Sequence, residues 1–259
     1  MKSFLRKLLN RFYYLAFNES PSNVRMQHDH QCAAIDVMAR DLLSRPGAAE
    51  YLHVNNWQDE MGHAMVDPDT SDLGQLFDQF GSDKATLHNY HLIYGSILRG
   101  KRQDRIRLLE IGLGTNNLSI PSNMGISGKP GASLRAFRNW APRADVFGAD
   151  VDRGILFQEE RIRTTFVDQT KVETLQNLRN EFGSDFDLII DDGYHRPIAG
   201  FLTILACSEM LAVGGTLVVE DIEESDLALW QLFSWMCRDR LRMKFWRMRS
   251  QCVCVVNTL

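Results

Sequence analysis

The chain has 259 residues, 44% hydrophobic and 24% charged, enough to bury the core of one α/β domain with an N-terminal extension. A net charge of -4 gives no global basic character, which argues against a nucleic-acid partner. Cys32, Cys207, Cys237, Cys252 and Cys254 form no CxxC pair, so neither a zinc ribbon nor a disulfide framework is expected, and a reducing, cytoplasmic setting is.

Residues 1–17, MKSFLRKLLNRFYYLAF, place Phe4, Leu5, Leu8, Leu9, Phe12 and Leu15 at helical spacing, with Lys2, Arg6, Lys7 and Arg11 between them. The basic residues interrupt the apolar stretch that a secretory signal needs, and a membrane span needs about 20 apolar residues. Such a helix lies on an anionic membrane or docks on its own domain or on a second subunit; docking, with a homo-oligomer as one form of it, is the expectation. Residues 18–70 hold the loop-like NESPSN, HDHQ and VDPDT and a helix around residues 32–43. His28 and His30 form an HxH pair that no further ligand completes, so they read as solvated loop residues. Residues 1–70 are therefore read as a helical extension, serving as acceptor pocket or oligomer contact, and residues 71–259 as the main domain.

From residue 72 the pattern becomes regular. Leu73, Leu76, Phe77 and Phe80 mark a helix stopped at Gly81, and a second helical pattern covers 88–99, where His88 and His91 flank Tyr90 as packing or substrate-lining residues. Then apolar runs alternate with helical stretches: strands RIRLLEIG (105–112), ADVFGAD (144–150), RTTFVD (163–168), FDLIIDD and TLVVED (216–221), and helices over 133–141, 171–182, 198–212 and 225–238. The 198–212 helix is expected to stop at Gly214-Gly215, and MKFWRM and QCVCVVN are late strands. Strands alternating with helices predict an α/β fold: a Rossmann-like, doubly wound, mostly parallel seven-stranded sheet with helices on both faces.

Ligands on such sheets sit beyond the carboxyl ends of the strands. The first strand ends in Glu110-Ile111-Gly112-Leu113-Gly114, where glycines allow close backbone approach and Glu110 suits a ligand with a positive group. The nicotinamide fingerprint wants a glycine where this chain has Asn117. Asp150 ends the second strand, placed for ribose hydroxyls, and Asp168-Gln169 end the third, at the height of a nucleobase. Three acids and no third glycine suit a cationic, phosphate-free nucleoside, and S-adenosylmethionine meets that description.

In this order RLLEIGLGTNN, GKPGASLRAFRNW, VFGADVD, FVDQT, FDLIIDDGYH and GGTLVVEDIE resemble the class I S-adenosylmethionine-dependent methyltransferases, and more narrowly the metal-dependent macrolide sugar O-methyltransferases of the mycinamicin and macrocin types. FGSDKATLHNYHLIY is similar to that group's stretch upstream of the first strand. The resemblance covers residues 72–222 and implies methyl transfer to a hydroxyl of a sugar or glycosylated natural product. It places the cofactor against Glu110, Gly112, Gly114, Asn116, Ser133, Asp150, Asp168, Gln169 and Asp191, with Ser133 at a helix N-terminus for the cofactor's carboxylate. The long stretch NNLSIPSNMGISGKPGAS between Gly114 and the next helix is a lid over the cofactor or a surface loop.

The resemblance also makes the fourth and fifth strands neighbours, so that Asp191-Asp192 and Glu220-Asp221 crowd one edge of the cleft. Such carboxylates need a counter-charge or must stay protonated. By position, Asp192, Glu220 and Asp221 match the ligands of a divalent cation, with Mg2+ expected, and His195 matches the general base, with Asp192 beside it in the catalytic pair. The rival readings are a nicotinamide-dependent sugar oxidoreductase and a non-catalytic cofactor-binding partner protein.

Overall fold

The computed structural model describes residues 53–60 and 62–259. The amphipathic helix expected over 1–17, the helix over 32–43, and His28, His30 and Cys32 lie outside the described residues. The chain divides into two units, one of residues 1–52 with 225–236, the other of 53–224 with 237–259. In the first, the described part is mainly the apolar helix Leu227–Cys237. All that follows concerns the second.

That unit is built on a nine-stranded sheet: β1 (Val54–Asn56), β2 (Arg107–Ile111), β3 (Asp145–Asp150), β4 (Gln158–Glu159), β5 (Ile162–Phe166), β6 (Phe186–Asp191), β7 (Leu211–Ile222), β8 (Leu241–Arg247) and β9 (Cys252–Thr258). The order is β1-β8-β9-β7-β6-β2-β3-β5-β4. The seven expected strands form its body, and a short strand is added at each edge: β1 runs parallel to β8, and β4 antiparallel to β5. The contacts among β2, β3, β5, β6 and β7 are parallel, and β9 enters antiparallel to β7.

The helices of this unit are α1 (Trp57–Glu60), α2 (Gly62–Met65), α3 (Pro68–Phe80), α4 (His91–Ile97), α5 (Ala132–Trp140), α6 (Val172–Phe182) and α7 (Pro197–Cys207). Alternate residues of the strands serve opposite layers. Leu108, Val146, Leu188, Ile190 and Val218 join the core that includes Leu73 and Phe77 of α3, Tyr94 of α4 and Phe137 and Trp140 of α5. Each large apolar side chain so buried stabilises the fold by roughly 1.5–3 kcal/mol. On the other face Phe147 of β3 meets Phe182 of α6 with ring centroids 4.9 Å apart.

Two local signals position the site. Asp67 caps α3 by accepting from the backbone N–H of Asp69 at 3.3 Å, with Pro68 in the first turn. Gly81 ends the helix in the left-handed region, φ 84, and turns the chain into residues 82–90. Two boundaries depart from expectation: α3 begins at Pro68, inside the VDPDT stretch expected to be loop, and the second concerns α7. α7 stops at Cys207 and β7 begins at Leu211, inside the stretch expected to be helical. Pairing of Leu211 with Phe186 draws residues 211–215 into the sheet, so Gly214-Gly215 lie within a strand and do not end the helix.

Candidate active site

The carboxyl ends of β2, β3, β5 and β6 surround a cavity of about 280 Å³, lined among others by Gly112, Gly114, Asp150, Asp168, Gln169 and Asp192. Gly112 has φ 93, and a side chain there would collide with the backbone carbonyl of Asp192. The same closeness lets Asp192 donate its backbone N–H to Ile111 at 2.8 Å. Glycine is required here because β2 and the loop after β6 nearly touch.

The expected cofactor residues divide into those on the cavity and those behind it. Asp150 accepts from the backbone N–H groups of Leu113, at 2.6 Å, and Asp152, at 2.8 Å, and so fixes the glycine turn whose mouth it lines. Asp168 accepts from Thr170 and pairs with Lys171 at 2.7 Å. Gln169 donates to Asp191 Oδ1 at 2.7 Å and accepts from the Tyr194 backbone at 2.7 Å, clamping the loop after β6. Asp191 turns back to this amide and to the N–H of Gly193, away from the cavity. Ser133 donates to Glu110 at 2.5 Å, and Glu110 is fully buried behind the cavity wall. Asn116 donates to the carbonyls of Gly125, at 2.7 Å, and Gly128, at 2.9 Å. It therefore braces the long loop. Ile120, Pro121 and Ser122 of that loop line the cavity, and Ser122 donates to the Tyr194 carbonyl at 3.0 Å, so the stretch covers the pocket as a lid.

At the other end of the cavity β6 and β7 lie side by side and deliver a cluster of charges. Among the described residues Asp192, His195 and Asp221 each offer a ligand atom, and these atoms lie within 4.8 Å of one another. His195 Nε2 is 3.1 Å from Asp192 Oδ1 and 3.7 Å from Asp221 Oδ2. Two carboxylates and an imidazole fit a hard divalent cation that keeps open positions. Burial favours neutral His195, but the hydrogen bond and charge of Asp192, with the charge of Asp221, outweigh it and lift the imidazole to about 9.

Glu220 is not brought into that cluster. It is buried and receives hydrogen bonds from Lys84 Nζ, at 2.5 Å, and from the Tyr94 hydroxyl. Lys84 is the residue that the sequence reading left without a role. Its buried ammonium lies 2.6 Å from Asp192 Oδ2 and 3.2 Å from Glu110 Oε1 as well, so one lysine ties together the ends of β2, β6 and β7. Burial opposes its charge, yet Asp192, Glu220 and Glu110 together hold it protonated, well above the ordinary lysine range. Burial raises Asp192, but the charge of Lys84 and the hydrogen bond to His195 carry it down to about 2. Glu220, dominated by burial, rises to about 7 despite Lys84. Tyr90 donates to Asp221 at 2.5 Å, and His88 stacks on Tyr90 with its Nδ1 3.8 Å from Asp221 Oδ1. His91 begins α4 and packs against Gly74. Lys84 follows the helix stop at Gly81 by three residues, and Tyr90 and Tyr94 come later in the same stretch, SDKATLHNYHLIY.

No family model matches the chain. It is 31% identical over 155 residues to mycinamicin VI 2''-O-methyltransferase of Micromonospora griseorubida, which covers 60% of this chain and 36% of that protein. It is 30% identical over 192 residues to 8-demethyl-8-(2-methoxy-alpha-L-rhamnosyl)-tetracenomycin-C 3'-O-methyltransferase of Streptomyces olivaceus, covering 73% of this chain and 40% of the relative. The demethylmacrocin O-methyltransferase of Streptomyces fradiae is 30% identical over 152 residues. The chain spans less than half the length of these curated relatives. Among solved structures, the MycE methyltransferase of the mycinamycin biosynthetic pathway, in complex with Mg and SAH, superposes with a TM-score of 0.58 at 24% identity, covering 72% of this chain and 54% of that one. The chain thus has the fold of the class I S-adenosylmethionine-dependent methyltransferases, and its relatives are O-methyltransferases of glycosylated natural products.

Proposed function

We propose that the chain is an S-adenosylmethionine-dependent O-methyltransferase that modifies a hydroxyl on the sugar of a glycosylated natural product, with the help of a divalent cation. One observation carries the reading: Asp192 both lines the cavity and belongs to the charged cluster, so a donor in the first and an acceptor at the second are neighbours. Methyl transfer demands that adjacency, because the attacking oxygen must lie in line with the methyl carbon and the departing sulfur. The relative named for a rhamnosyl tetracenomycin supports a sugar hydroxyl as acceptor, and the SAH bound to MycE supports the donor.

The chain's own residues divide the work. The glycine turn at Gly112 and Gly114, Asp150, Asp168 and the lid hold and cover the donor. Asp192 orients His195 through Nε2, which leaves Nδ1 to take the acceptor's proton as the oxygen–methyl bond forms and the methyl–sulfur bond breaks. The sulfonium becomes a neutral thioether. Asp192 and Asp221 would hold a hard divalent cation, whose charge would acidify the acceptor hydroxyl and lower the basicity of His195. Glu220 holds Lys84 in place behind them. Residues 1–70, from which β1 joins the sheet, complete the acceptor pocket or form an oligomer contact.

The test is a methyl-transfer assay with S-adenosylmethionine over a panel of deoxysugar glycosides, run with Mg2+ and with EDTA. The reading expects a methyl ether on a sugar hydroxyl and loss of turnover on chelation. Turnover indifferent to EDTA would remove the cation from the mechanism. Absence of methylated glycoside throughout the panel would count against the acceptor class.

A further inference from the structure

We propose that Lys84 is a positioning residue that sets how tightly the Asp192–His195–Asp221 cluster holds a divalent cation. The inference rests on the reading of that cluster given above and goes beyond it.

The geometry makes Lys84 a competitor for the cluster's own oxygens. Its ammonium takes Asp192 Oδ2 at 2.6 Å and Glu220 Oε2 at 2.5 Å, and it is itself almost completely buried. Asp192 is left with Oδ1, the atom that faces His195. Glu220 next to Asp221 in sequence would otherwise be a ready oxygen donor, but both of its oxygens are engaged, one by Lys84 and one by the Tyr94 hydroxyl. Asp221 is restrained too, through Oδ1, by the hydroxyl of Tyr90. Stretch 83–94 thus neutralises part of the acid crowd from inside the protein and leaves the carboxylates of Asp192 and Asp221, beside His195, for an incoming cation. Carboxylates already in contact with one cation attract a second less, and the effect is large where water is excluded. A modest affinity is what a cation that must leave positions open for a substrate oxygen requires.

Removing the ammonium therefore strengthens cation binding, the opposite of what loss of a merely structural residue does. Mn2+ binding, read from the loss of the free-ion electron paramagnetic resonance signal, is the measurement. Lys84→Met is the direct variant, but it leaves Glu110, Asp192 and Glu220 facing one another without a counter-ion. Lys84→Gln combined with Glu110→Gln removes one cation and one buried carboxylate together. Glu110 is the partner at 3.2 Å on the far side, hydrogen-bonded to Ser133, so the total charge behind the cavity is unchanged and Asp192 is still released. Either variant, whichever folds, is expected to bind Mn2+ at least about tenfold more tightly than the parent chain. An affinity equal to or weaker than the parent's in the folded double variant overturns the proposal. Asp192→Asn separates this failure from that of the underlying site: if it binds Mn2+ as the parent does, the cluster itself is not where the cation sits.

Discussion

His195 and Asp221 carry their backbones in the left-handed region, at φ 52 and φ 53, although neither is glycine. Each such conformation costs about 1–3 kcal/mol and persists where the surroundings enforce it. The strain falls on two of the three residues whose side chains converge, which marks the loop after β6 and the irregular end of β7 as shaped for the cluster. Since His195 does not line the donor cavity, its loss should leave donor binding intact. His195→Ala is expected to lower kcat by at least about 100-fold, with the dissociation constant for S-adenosylhomocysteine changed less than about twofold in a titration. Parallel loss of both would make His195 a binding residue and not a base. At this scale the crowding of the acids was legible from the sequence, because carboxylates at the end of an apolar run need a counter-charge. Lys84, Tyr90 and Tyr94 were not, because each meets an acid more than 100 residues away: Lys84 and Asp192 are 108 apart, Tyr90 and Asp221 131, and Tyr94 and Glu220 126. Glu110, Ser133, Asp191 and Asn116, expected to face the cofactor, instead hydrogen-bond to other groups of the protein, a matter of side-chain direction that strand-end spacing does not determine.

Among the elements, the lid between β2 and α5 is braced by hydrogen bonds of its own side chains. Asn116 satisfies two of its carbonyls, and Ser122 fastens it to the loop after β6. Asn116→Ala should loosen the loop without touching the core. We expect the KM for S-adenosylmethionine to rise by roughly 5–10-fold, the equivalent of about 1–1.4 kcal/mol for one buried hydrogen-bonding group, with the melting temperature nearly unchanged. Equal KM values for variant and parent would show that the lid is not part of the donor site. The end of α3 was legible, because Gly81 is a helix stop, but its start was not: Asp67 and Pro68, which open it, sit in a stretch whose composition reads as loop. β1 and β4, of three and two residues, carry no periodicity to read. The start of β7 was hidden because Leu211, Ala212 and Val213 follow a long apolar helix, and only pairing with β6 decides that they are strand.

For the molecule as a whole, the sheet order places β6 between β2 and β7, which is why one loop, residues 192–195, can serve a donor cavity on one side and a charged cluster on the other. Chain reversal at the centre of such sheets leaves a crevice at the strand ends, and both sites lie there. No described helix is long and apolar enough to cross a membrane. Cys207, Cys252 and Cys254 are buried as free thiols, and burial pushes each above its usual range. They should be unreactive to a thiol reagent in the native protein and react together as denaturant unfolds the sheet; fast labelling of any of them in native buffer, read by mass spectrometry, would mean that this core opens locally. The central claim is that the cavity between β2, β3, β5 and β6 is built for S-adenosylmethionine. Calorimetric titration of the purified chain with S-adenosylhomocysteine and, separately, with NAD tests it most directly: saturable binding of the first at one site per chain with no heat from the second is the predicted result, and tight binding of NAD with none of S-adenosylhomocysteine would contradict it.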